Sequence, residues 1–127
     1  MNWRWVDKRA LLLLHDESLA EHGGATGIRD EGLLDSALAR PFNLNAYGKS
    51  DFADLAAAYA IGLAKNHAFV DGNKRAALLA TGLFLRLNGY RVQVTQADAT
   101  VTLFAVAADE MDEATFADWL RRHCVKR

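Results

Sequence analysis

His67-Ala-Phe-Val-Asp-Gly-Asn-Lys-Arg75 puts a titratable base, a carboxylate, a turn glycine, an amide and two cations into one short run. Apolar helical patterns flank it. Upstream, Phe52, Leu55, Ala56, Tyr59 and Leu63 recur at helical spacing. Downstream, Ala76 to Leu87 is apolar except for Thr81, Gly82 and Arg86, which predicts a helix buried on nearly every face. Charged groups in a loop that caps a buried helix are costly unless they bind something.

Gly72 allows a sharp turn and keeps Cβ atoms away from an approaching ligand. Asn73, Lys74 and Arg75 open the next helix, whose first N–H groups lack partners within the helix. Such a helix start attracts phosphate, while cations in its first turn oppose the dipole. Their presence is explained if a polyanion occupies the spot. Lys74 offers a point charge and Arg75 a planar fork for two phosphate oxygens. Asp71 is a hard oxygen ligand suited to Mg²⁺, which takes one or two carboxylates plus phosphate oxygens. Histidine is the one side-chain type in the run whose reference pKa lies near neutrality, which makes His67 the natural general base. The set fits phosphoryl or nucleotidyl transfer onto a hydroxyl.

Plain structural roles exist for the same residues. His67 could end a helix and hydrogen-bond its last carbonyls. Asp71 could serve a turn or cap the following helix. Phe69 is expected to be a core anchor with no chemistry. Together these roles leave two cations at a helix start unexplained, so a binding site is expected here.

H-x-F-x-D-G-N-K-R resembles the signature of the death-on-curing (Doc) toxins, a branch of the Fic family. The Fic motif reads H-P-F-x-(D/E)-G-N-G-R-x-x-R. His67, Phe69, Asp71, Gly72, Asn73 and Arg75 match it, Lys74 stands at the glycine before arginine, and Leu78 at the second arginine. Doc toxins are similar in carrying lysine there, and usually alanine where this chain has Gly72. Leu79 replaces an asparagine of the Doc pattern. His22 to Asp30, Gly32 to Pro41 and Leu83 to Gly89 also resemble Doc segments, so the likeness covers nearly the whole chain. It implies a toxin of a toxin–antitoxin pair that uses ATP and Mg²⁺ to phosphorylate a protein hydroxyl, a threonine of elongation factor Tu, and so blocks translation. His67, Asp71 and Lys74 would be catalytic, Gly72, Asn73, Lys74 and Arg75 the phosphate cradle, and Asp71 the metal ligand. A lysine at 74 fills a pocket that glycine leaves open for phosphate, which favours phosphate transfer with a reversed nucleotide. Fic-type AMP transfer and a non-catalytic helical interaction protein are the rivals.

Many Fic proteins carry an inhibitory (S/T)-x-x-x-E-(G/N) segment. Here Glu31-Gly32 is the one Glu-Gly pair, and Gly27 stands where serine or threonine would be. Restraint is therefore expected from outside. The resemblance implies a Phd-type antitoxin whose C-terminal segment folds as a helix on an apolar groove near the leucine-rich first helix.

At 127 residues, 51% apolar and 24% charged, the chain reads as a single soluble domain, 1–127. A net charge of −1 gives no broad footprint for direct nucleic-acid binding, which weighs against a ribonuclease toxin. Cys124 alone cannot make an intrachain disulfide, fits a reducing cytoplasm and reads as packing. Leu11 to Leu14 is too short for a membrane span or a secretion signal, so a cytoplasmic location is expected.

Helices are expected from an Asp7 cap to about His22, and from an Asp30 cap to a stop before Pro41. Gly23 to Asp30 is a glycine-rich loop without the ending of a phosphate loop. His15 has a core or surface role. Pro41 to Ser50 reads as an exposed loop, the place of the Fic flap. Further helices start at Ser50 or Asp51, at Asn73 (closed by Gly89), at a Thr95 cap and at an Asp112 cap. Arg91 to Val94 is a marginal strand without a partner. The expected fold is all-α: a compact Fic/Doc-like bundle of about six helices around a central buried one.

Overall fold

The computed structural model describes residues 2–127. Its helices begin where the capping residues stand. Asp7, Asp30, Asp51, Thr95 and Asp112 each accept a backbone N–H from the third residue on, opening α1 (Lys8–His22), α2 (Glu31–Tyr47), α3 (Phe52–Asn66), α5 (Gln96–Ala107) and α6 (Glu113–His123). Only α4 (Asn73–Leu87) among the described helices lacks a side-chain cap, its N-cap being Gly72. A two-stranded antiparallel ribbon, β1 (Tyr90–Val92) with β2 (Cys124–Lys126), is the remaining regular structure.

The central helix is α3, where the sequence pattern pointed to α4. Ala53, Ala56, Ala57, Ala58, Ala60 and Ala64 are buried along it, with Leu55, Tyr59 and Leu63. These small side chains let α2, α4, α5 and α6 all pack against it. Closest approach is at Gly62, where a Cβ would lie 3.2 Å from the Cα of Ala37 on α2. By contrast α4 leaves Gly82, Arg86 and Leu87 outside. The chain before α1 is tied down as well. Val6 N–H donates to the Tyr59 hydroxyl, and the Trp5 ring stacks 5.9 Å from Phe84.

Two further expectations are corrected. The second helix runs through Pro41 to Tyr47, so the expected Pro41–Ser50 loop shrinks to a short connection. Pro41 costs its helix about 3 kcal/mol by losing one hydrogen bond and crowding a carbonyl. Leu34, Ala37, Pro41 and Leu44 nevertheless form one stripe against α3, and each large side chain buried there offsets about 1.5–3 kcal/mol. The flap-like role has no loop to occupy. The marginal strand, placed at Tyr90–Val92, does have a partner in β2, which follows α6 directly.

A cross-link joins α6 to the start of α3. Arg121 contacts Asp51 at 2.6 Å and Asp54 at 3.0 Å, and also reaches Asp118. The guanidinium holds the Asp51 carboxyl down at about 2. The folded state thus takes up this proton less readily than the unfolded chain. The stabilisation is complete above the ordinary value of 3.8 and is lost as pH falls through about 2. Being largely exposed, the pair is worth about 1 kcal/mol at most. Arg121→Ala should therefore melt lower than the parent at pH 7, and the two melting curves should draw together as pH falls toward 2 and converge below it. An undiminished gap at pH 2 would show that the cross-link acts through packing instead.

No described helix is long and apolar enough to cross a membrane.

Candidate active site

α3 ends at Asn66, and His67 turns the chain as a left-handed residue, φ 52° and ψ 46°. For a residue with a Cβ this conformation costs about 1–2 kcal/mol, so the surroundings must hold it. Ala68 and Phe69 then dive into the core, as expected of an anchor: Phe69 is 2% exposed and its ring lies 4.3 Å from that of His15. Asn73 closes the loop from below. Its side-chain oxygen accepts from the Phe69 N–H at 2.9 Å, and its amide donates to the Phe69 carbonyl at 3.1 Å. With its side chain so engaged, Asn73 offers a phosphate chiefly its backbone N–H.

Asp71 is held from three directions. One carboxylate oxygen accepts from Gly72 N–H at 2.8 Å, the other from Ala25 N–H at 3.2 Å. Its carbonyl accepts from His15 Nε2 at 3.0 Å. Asp71 is therefore a turn residue and not the cap of α4. Gly72 follows at φ 74°, and a Cβ there would come within 2.8 Å of His15 Cε1. The glycine thus keeps space for α1 beneath the loop, where the sequence suggested space for a ligand above it. His15 is itself buried, with Nδ1 lacking a hydrogen-bond partner among the described residues.

α4 starts with Asn73, Lys74 and Arg75 on an uncapped helix end. Lys74 Nζ lies 4.9 Å from the ring centre of Phe104 on α5, within cation–π range. Among the described residues neither Lys74 nor Arg75 forms an ion pair. His67, Asp71, Gly72, Asn73, Lys74 and Arg75 all line one cavity of about 390 Å³. The six residues given a chemical role from the sequence therefore meet in one place. The far wall comes from Ala64 and Leu78 and, on α5, from Gln96, Thr100, Leu103 and Phe104. Sequence reading missed this contribution of α5. Its one trace is the spacing of positions 96, 100, 103 and 104, which share a helical face.

No group of three or more metal-ligating side chains exists among the described residues, so the fold offers no closed metal cage. The Asp71 carboxylate, exposed and with lone pairs to spare after its two hydrogen bonds, suits a hard cation that arrives with phosphate oxygens. Cys124 is no nucleophile candidate: burial pushes its thiol up to about 11.

Comparison with known proteins agrees with this layout. Residues 5–85 match the model of the Fic/DOC family. The chain is 35% identical over 120 residues to a protein of Escherichia phage P1 named "Protein kinase doc", covering 94% of each. It is 47% identical over 74 residues to "Toxin Doc" of Mycolicibacterium smegmatis, covering 55% of each. By the family match over residues 5–85 and the relative that covers nearly the whole chain, this chain belongs to the Fic/Doc family.

Proposed function

We propose that this protein is the toxin of a toxin–antitoxin pair and that it moves the terminal phosphate of ATP to a protein hydroxyl. The observation that carries the reading is the pair of unpaired cations, Lys74 and Arg75, on an uncapped helix start facing the same cavity as His67. That arrangement suits a chain of phosphates beside a general base. His67 takes the proton of the target hydroxyl. Its oxygen bonds to the γ-phosphorus as the bond from that phosphorus to the β–γ bridging oxygen breaks, and ADP leaves. Lys74 and Arg75 balance the charge on the transferred group, and the first N–H groups of α4 orient it. Asp71 would hold a Mg²⁺ ion, which when bound neutralises charge on the phosphate oxygens.

Lys74 favours phosphate over AMP transfer, because its side chain stands where glycine would leave a backbone pocket. The relative named a protein kinase supports the same choice. A threonine of elongation factor Tu, in the cytoplasm, is the target this reading assigns, so that modification stops translation. The relative named a toxin supports pairing with an antitoxin. A Phd-type partner would fold a helical segment onto the α1 side, where Leu13 is 66% exposed as an aliphatic anchor.

The test is the mass of proteins in a cell lysate after incubation with this chain and ATP. One protein should gain a single phosphate while ADP is released, and the co-expressed antitoxin should abolish the gain. Gain of an adenylate with release of pyrophosphate would replace this reading by AMP transfer. No modification despite ATP binding would turn it into a non-enzymatic interaction protein.

A further inference from the structure

The loop residue that carries the base is gripped from outside by a side chain the transfer chemistry does not use. Arg29 Nε donates to the His67 carbonyl at 2.7 Å, and Nη2 of the same guanidinium donates to the Asn66 carbonyl at 3.4 Å. These two carbonyls belong to the peptide planes on either side of the His67 Cα. Fixing both planes fixes φ and ψ of His67, and with them the direction of its Cα–Cβ bond. The backbone of the same segment holds the next plane, since Arg29 N–H and Asp30 N–H both donate to the Ala68 carbonyl, at 2.8 and 3.0 Å. An isolated bridge between Ile28 and Phe69, with Val70 N–H donating to the Gly27 carbonyl at 3.1 Å, completes the strap.

The grip matters because His67 is left-handed, a conformation its own side chain does not favour. Released, the residue would relax toward the right-handed or extended region and swing its imidazole away from the cavity. Arg29 is exposed, so the core does not require it. A planar fork suits the task because its N–H donors point at both carbonyls in a fixed geometry, whereas a lysine ammonium would reach them from a flexible arm.

We infer that Arg29 is a positioning residue that orients the general base His67 by clamping both of its flanking peptide planes. The inference rests on the proposed transfer reaction for its kinetic consequence, and on the backbone alone for its structural one. Arg29→Ala, in the full chain, should lower kcat by roughly tenfold to a hundredfold, as expected for a misplaced catalytic group. KM for ATP should stay within about twofold, because the phosphate cradle on α4 is untouched. Arg29→Lys should fall between the two. In a His67→Ala background the same Arg29→Ala change should have no further effect, since its target is gone.

An NMR measurement of the His67 backbone coupling and carbon shifts supplies a readout independent of activity. The left-handed signature should be present in the parent and lost in Arg29→Ala. Unchanged kcat with only a lower melting temperature would make Arg29 a mere cap of α3 and overturn the inference. So would an equal Arg29→Ala loss in the His67→Ala background. If the parent transfers nothing at all, the function proposal fails, and the coupling measurement still decides. Retention of the left-handed signature without Arg29 overturns the clamp.

Discussion

His67→Ala should lower phosphate transfer by roughly 10²–10⁴ while the protein remains folded. The residue is exposed at the end of α3, and its neighbours Ala68 and Phe69 make the core contacts. On the proposed reading it supplies a proton acceptor in the cavity that Lys74 and Arg75 also line. A companion variant separates chemistry from stability. His67→Gly removes the same imidazole but suits the left-handed backbone better, so it should fold at least as stably, gaining up to about 1 kcal/mol. Both variants should be equally inactive although they differ in melting temperature. A folded His67→Ala or His67→Gly protein that transfers at the parent rate would remove His67 from the mechanism.

Much of this could be read from the chain, for identifiable physical reasons. Helix starts were legible because a short acceptor side chain satisfies free N–H groups at a fixed offset, as at Asp7, Asp30 and Asp51. The loop was legible because its chemistry is contiguous in sequence. Other features depend on tertiary context. Pro41 carries a strong local stop signal, yet the apolar stripe from Leu34 to Leu44 runs through it and packing wins. The central place of α3 was hidden because alanines contribute little apolar bulk to a periodicity count, although their smallness is what admits neighbours on all sides. β2 is too short to show a pattern and is paired only because α6 delivers it beside β1. Around the site, His15, Ala25 and Arg29 act on the backbone or side chains of the loop across the fold. Such contacts leave no spacing rule in the sequence. Phe104 belongs to the same class: it is half exposed and sits under the Lys74 ammonium.

Asp71→Asn should reduce transfer by roughly 10²–10³, the cost that the proposed reading assigns to removing one charge from a metal–phosphate assembly. The substitution is nearly isosteric. Its remaining carbonyl oxygen can still accept one of the N–H groups, from Gly72 or Ala25, that the carboxylate accepts. The other N–H would face the new amide nitrogen, so a modest loss of stability, about 1–2 kcal/mol, accompanies the change. The kinetic loss should exceed what that strain explains, and it should carry a signature. The Mg²⁺ concentration needed for half-maximal rate should rise, because the cation would then be held by phosphate oxygens and water alone. Asp71→Glu tests position against charge. It keeps the negative group, but the site is narrow: a Cβ at Gly24 would already stand 3.0 Å from the Asp71 carboxylate. A longer arm has to leave its two N–H donors, so Asp71→Glu should recover little of the lost rate despite its full charge. Wild-type rate and an unchanged Mg²⁺ response in Asp71→Asn would show that the carboxylate only shapes the turn, and the metal-holding role would be withdrawn.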